Sequence, residues 1–327
     1  MNNDVINVLK KYTVEKLTPI IGAKTIQLLV FREILDFSIF RTEESRELNT
    51  VVTPRSIKEA NETEQRVAFF ASKQKAVESR TLEHMLRTAG EEVEDKSIDK
   101  KIKEIIDLQK NCYLKSNLCL NCPRCVLFGG TNTESGQEKE PNIKHRIEYS
   151  TAFSLLPAGD IEISVTFNAI DDREQSTGQA LGSRNAVRPA TIFPSIVTIK
   201  SGTLEEVVLT IKTLLSAKSY GAETRIGGDV RNTIVGIVAG WEEVITSLEF
   251  VLELSNDQDD LTPEKVVSIV EKYKEYTGNP ARVYVFSPEE VESIVEYASS
   301  QELSAEFLTS IYSRVLEYRD IQKKKKA

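Results

Sequence analysis

Apolar and polar positions change rhythm along the chain, and each change predicts a new element. From Lys24 to Arg41 the run TIQLLVFREILDFSIF is rich in β-branched and aromatic residues, with Ile26, Leu28 and Val30 alternating until Arg32 interrupts. One long strand, or two joined at a bend, is expected there. Past Thr53-Pro54 the spacing of Glu, Gln, Lys and Ala over 66–75 and 82–87, followed by EEVEDKSIDKKIKEIIDLQK, predicts helices with a solvated face. The apolar VLFGG at 126–130 then gives way to TNTESGQEKEPN, which has the composition of an exposed loop.

Two strands are expected to flank the turn Pro157-Ala158-Gly159-Asp160, the second with Ile161, Ile163, Val165 and Phe167 on one face. The stretch 168–194 is small, polar and basic, and reads as a long loop of the functional kind. A strand over 196–200 leads to Thr203 and Glu206, a capping box that opens a helix. A glycine-containing basic loop, SYGAETRIGGDVRN, precedes TIVGIVAGW and VITSLEFVLEL, both read as strands. Thr262-Pro263-Glu264 and Ser287-Pro288-Glu289 each start a helix with Pro at the first helical position. Together these predict an α+β fold with a ferredoxin-like core elaborated by insertions.

The chain has 327 residues, enough to bury a sizeable core. Its net charge of −8 speaks against a polybasic nucleic-acid binder, although totals say nothing of placement. The longest apolar run, near 234–241, is broken by Gly236 and Gly240 and is too short for a bilayer. The N-terminus resembles an amphipathic helix and not a secretion signal, so a soluble, cytoplasmic protein without membrane contact is expected.

All four cysteines, Cys112, Cys119, Cys122 and Cys125, lie in one segment with the spacing C-x6-C-x2-C-x2-C. Disulfide frameworks staple distant segments of secreted chains, whereas clustered thiolates select soft metals. Four sulfurs close a tetrahedral site, which makes structural zinc the reading adopted. The C-x2-C-x2-C core also resembles part of a ferredoxin run and keeps an iron–sulfur cluster in view. His84 or His145 stands as a substitute for one sulfur.

No phosphate-binding P-loop, nucleophile elbow, H-E-x-x-H pair or dinucleotide fingerprint is present. Acidic clusters at Asp171-Asp172, Asp257 and Asp259-Asp260 read as solvated loops. Cations coincide with glycine or with element junctions in three places. These are Arg225, Gly227, Gly228 and Arg231 in the glycine loop, Arg184 and Arg188 in the polar stretch, and Arg55 with Lys58 at an expected strand-to-helix junction. Arg66, Lys73 and Lys75 extend that surface, and Arg32 is grouped with it. Three such junctions point jointly to binding of a phosphate backbone.

The cysteine cluster ending in CPRCVLFGG, the strand pair at RIEYSTAFSLLP, the polar loop leading to RPATIFPS, and SYGAETRIGGDVRN together resemble a known family. It is the large backbone subunit of the type I-D CRISPR surveillance complex, within the repeat-associated superfamily of RNA-binding proteins. The resemblance spans roughly 24–254. It implies a modified RNA-recognition-motif core over 1–55 and 143–254, a helical insertion over 56–110 and a zinc-binding insertion over 111–142. A thumb-like element over 168–194 and a C-terminal helical region over 255–327 complete the division. The implied role is non-catalytic: binding guide RNA (crRNA) along its backbone, polymerising with copies of itself into a helical filament, joining other CRISPR subunits, and presenting the guide to complementary DNA. Alternatives are a metal-dependent ribonuclease using Asp36 or Asp171-Asp172, and a zinc-stabilised scaffold that binds protein alone.

Overall fold

A computed structural model of the chain describes residues 3–41, 47–93, 98–113, 117–131, 141–171, 173, 176–221, 227–258 and 260–324. Arg225 therefore lies outside the described residues. The chain is organised around a five-stranded antiparallel sheet. Strand β1 (Thr25–Ile34) lies at its centre. On one side it pairs with β8 (Ile192–Lys200), which carries β4 (Ile147–Tyr149) at the edge. On the other it pairs with β9 (Val230–Gly240), which carries β10 (Tyr284–Val285).

The alternation in β1 decides how the layers stack. Ile26, Leu28 and Val30 enter one core with Val197 and Ile237, while Leu29 and Phe31 enter a second with Ile196, Val235 and Val238. The first core is covered by α1 (Asn3–Lys11), α2 (Ala71–Glu92), α3 (Lys100–Gln109), α6 (Leu204–Ser216), α9 (Pro288–Ser300) and α10 (Ala305–Lys324). The second is covered by α7 (Ser247–Leu254) and α8 (Pro263–Lys274). Burial on both faces explains why nearly every β1 side chain is hidden. At Gly236 a Cβ would sit 2.8 Å from Val266 Cγ1, so glycine there lets α8 approach the sheet closely.

Capping chemistry correctly locates α6, α8 and α9, whose side-chain caps are Thr203, Thr262 and Ser287. Four sequence expectations need correction. The span VITSLEFVLEL is not a strand: Thr246 and Glu249 form a capping box, and the apolar side chains after it occupy a helix, α7. The helix expected from residue 66 starts only at Ala71, because Thr63–Phe69 is a strand, β3, between β2 (Thr50–Pro54) and β5 (Ala152–Phe153). Consequently Thr53 to Lys58 belongs to a β2–β3 hairpin and not to a strand-to-helix junction.

The turn at Pro157 does not join a hairpin either. It opens the short helix α5 (Ala158–Ile161), after which β6 (Glu162–Asp171) pairs with β7 (Ser176–Val187). The expected polar loop is thus mostly one arm of a two-stranded ribbon, whose inward-facing backbone groups pair with each other and whose base packs Ile163, Val165 and Ala186 on Phe37 and Ile39. α4 (Pro123–Phe128) completes the helices. Among the described residues no helix is long and apolar enough to cross a membrane.

Candidate metal centre and nucleic-acid surface

The cysteine segment folds around its own sulfurs. Cys122 caps the N-terminus of α4, its Sγ accepting from the Cys125 N–H at 3.4 Å, with Pro123 at the first helical position. Leu120 adopts φ 55, which turns the preceding backbone so that Cys119 N–H donates to Cys112 Sγ at 3.4 Å and Asn121 N–H to Cys119 Sγ at 3.5 Å. Cys112 Sγ lies 4.0 Å from Cys122 Sγ and 3.6 Å from Cys125 Sγ, and all four sulfurs lie within 4.8 Å of one another. These gaps are too long for disulfides.

Sulfurs at the corners of a tetrahedron, ~2.3 Å from a central zinc, are about 3.8 Å apart. The observed spacings fit one such ion, whereas an iron–sulfur cluster distributes its cysteines over several irons. Cys112, Cys122 and Cys125 are buried and Cys119 half-buried, so thiolates here need a cation. Hydrogen bonds from the neighbouring thiols hold the Cys125 sulfur far below the usual thiol range, while burial pushes Cys122 up. Neither histidine completes the set: His145 Nε2 lies 3.8 Å from Glu148 Oε1, and His84 lines a groove between α2 and the α9–α10 connection.

The proposed RNA-contacting cations divide into groups with different surroundings. Arg32 and Arg66 are buried. Arg32 Nη1 donates to Glu78 Oε1 at 2.6 Å and to Asn232 Oδ1 at 3.0 Å, and its Nε donates to Ser195 Oγ at 2.9 Å. Tyr149 and Tyr220 donate to the same Glu78 carboxylate, at 2.6 and 2.8 Å. Arg66 donates to Thr53 Oγ1, Ser154 O and Arg55 O at 3.1, 2.8 and 2.8 Å. Both guanidinium groups therefore organise the interior. Arg55 is exposed but paired with Glu62 at 2.8 Å and Glu59 at 3.5 Å. Lys58, also exposed, follows it in the β2–β3 hairpin, with its N–H on Asn256 Oδ1 at 3.2 Å.

The remaining positions gather near the C-terminal end of β1. Leu35 N–H donates to Asp229 O at 2.8 Å, and Ser38 exchanges backbone hydrogen bonds with Val187 at 3.2 and 2.8 Å. This joins the glycine turn to the base of the β6–β7 ribbon. In the turn, Tyr220 N–H donates to Gly228 O and Gly221 N–H to Gly227 O, at 3.0 and 2.9 Å. Gly228 has φ +60, and a Cβ there would come within 2.6 Å of the Gly221 backbone, so no other residue fits the turn without strain.

Arg188 is exposed at the ribbon's base, with half-buried Arg184 farther along β7. Lys73 reaches the same region, donating to Ile39 O at 3.1 Å with its ammonium 5.8 Å from the Phe40 ring centroid. Burial, with Arg41 nearby, pushes Lys73 down to about 8. Arg231 faces Glu33 across the β1–β9 register and forms an ion pair with it. Sequence reasoning missed Glu78 and Arg124 as organising residues. Arg124 is buried, with Nε on Ser79 Oγ at 2.7 Å and Nη1 3.8 Å from Cys125 Sγ. Its place inside the CPRC turn was the available signal.

A family model described as Csc2 Crispr matches residues 12–308. Among solved structures, the chain is similar to Csc2 of Thermofilum pendens at 20% identity, covering 98% of this chain and 95% of that one with a TM-score of 0.68. A chain from a CRISPR RNA-guided surveillance complex in a pre-nicking state aligns at 10% identity, over 84% of this chain and 100% of that one, with a TM-score of 0.49. No curated protein sequence matches the chain.

Proposed function

The chain belongs to the Csc2 CRISPR family, and from that membership we propose that it is a non-catalytic guide-RNA-binding subunit of a type I-D surveillance complex. Copies of the chain assemble head to tail along the guide, through a heterologous interface that does not close on itself. Together with the other subunits they offer the guide's bases to complementary DNA. Sequence is then read by base pairing, while the protein holds phosphates.

The observation that carries this reading is the convergence of Lys73, Arg188 and the Gly227-Gly228 turn at the end of β1. Close-approach glycines beside cations suit a strand gripped by its backbone. The strand order β9-β1-β8-β4, all antiparallel, supports a ferredoxin-like core. In that reading the β6–β7 ribbon is the thumb, and residues 56–110 and 111–142 are insertions. The cysteine centre holds structural zinc: its four protein sulfurs leave no open position for water.

The test is binding of two unrelated single-stranded RNAs of equal length over a salt series. Similar affinities with steep salt dependence are expected, and salt-insensitive or absent binding overturns the reading. RNA that stays intact with Mg²⁺ or Mn²⁺ is the expected outcome for a non-enzyme, and cleavage lost in Asp36→Ala would install the nuclease alternative.

A further inference from the structure

A cavity of 500 Å³ opens between the first turns of α2 and the end of the cysteine segment. That volume is within the ~300–1,000 Å³ range of small-molecule sites. Three basic side chains, Lys75, Arg124 and His145, line it, and among the described residues no acid does. One wall is apolar, built from Leu118, Phe128 and Ile143, and Ser72 and Ser79 add hydroxyls on the α2 side.

Two of the three basic side chains, Lys75 and Arg124, have no ion-pair partner among the described residues. Arg124 uses Nε on Ser79 and turns Nη1 toward Cys125, which leaves Nη2 without a hydrogen-bond partner among the described residues. Lys75 likewise makes no hydrogen bond or ion pair among them. Burial and the Arg124 charge push Lys75 down, and the Glu148 charge offsets them only in part. Of the acids in electrostatic range, Glu83 is paired with Arg87 at 2.7 Å, and Glu148 gives Oε2 to Lys200 at 2.7 Å while its Oε1 lies 3.8 Å from His145 Nε2. Gly129, with φ +83, brings the wall next to His145, since a Cβ there would lie 3.0 Å from the His145 backbone nitrogen.

We propose that this cavity binds a phosphate ester of nucleotide size, with the phosphate held by Lys75 and Arg124 beside His145 and a flat group laid against Phe128 and Ile143. Uncompensated cations converging beside an apolar wall match the two halves of a nucleotide. The ligand is either a free nucleotide or one nucleotide of a bound RNA strand. The inference stands apart from the guide-binding surface as the structure leaves it, which rests on Lys73, Arg188 and the glycine turn; Lys75, first grouped with that surface, lines this cavity instead.

Calorimetric titration of the full chain with AMP and with adenosine is the test. AMP is expected to bind and adenosine to bind about tenfold or more weaker, and Lys75→Glu and, separately, Ser72→Asp should each weaken AMP by a similar factor without shifting the melting temperature. Equal binding of AMP and adenosine, no binding of either, or AMP binding unaffected by both variants overturns the proposal. Competition separates the sources: a short RNA displaced by AMP assigns the cavity to the strand, and RNA that stays bound alongside AMP assigns it to the free nucleotide. RNA that fails to bind at all while AMP binds removes the guide-binding reading and leaves this one standing.

Discussion

Arg32 and Glu78 form a fully buried ion pair, 2.6 Å between Nη1 and Oε1, that ties the central strand to α2. Burial pushes the Arg32 pKa down, but Glu78 together with Tyr220 and Tyr149 beside it outweighs burial and holds the guanidinium firmly charged. Removing one partner leaves an uncompensated buried charge, at a cost of about 3–5 kcal/mol. Glu78→Gln should therefore lower the melting temperature by on the order of 10 °C. The double replacement Arg32→Met with Glu78→Leu should be more stable than either single change, as thermal melts of the three variants will show.

The cysteine centre predicts about one zinc per chain by elemental analysis. With metal bound, all four thiols should resist alkylation under native conditions. Chelation should expose them together and lower the melting temperature, because α3, α4 and α10 share the core that the cysteines enter. Iron accompanied by visible absorption would contradict the assignment.

Lys73 gives a pH dependence with a definite sign. Its folded pKa, near 8, lies below the ~10.4 of a free lysine. Between those values the unfolded chain binds more protons, so the stability of the free protein should rise as pH climbs through this window, and Lys73→Met should flatten the rise. RNA binding should move the opposite way. Affinity for an oligocytidine, whose bases do not titrate there, should fall between pH 7 and 9 in the parent and not in the variant.

Arg188 and Arg231 are both exposed, yet among the described residues only Arg231 has an acidic partner, Glu33 across the strand register. Arg188→Ala should reduce the slope of log affinity against log salt by about one, and Arg231→Ala by less. Fluorescence anisotropy over a salt series measures both.

Much of this arrangement was legible in the residues, and the failures share a cause. β1 announced itself by alternation, α6, α8 and α9 by their caps, and the gathering of four sulfurs by cysteine spacing alone. The box at Thr246 and Glu249 carried the same kind of signal but was masked by the apolar run around it. Arg32 and Arg66 were misjudged because a cation's role depends on its partners. Glu78 lies 46 positions from Arg32, and the Ser154 carbonyl 88 positions from Arg66. Local spacing does not report such distant pairings. Strand β7 looked like a loop because a strand laddered to its partner needs no apolar alternation of its own.

Net charge was equally uninformative until placed. The chain is acidic overall at −8, yet Lys73, Arg188 and the glycine turn meet at one end of the sheet. The most direct test of the role assigned to that surface is to purify the protein from its native host under gentle salt and sequence the nucleic acid that accompanies it. RNAs of uniform guide length with shared repeat-derived ends are predicted. Absence of RNA, or a random sample of cellular transcripts, would contradict the account.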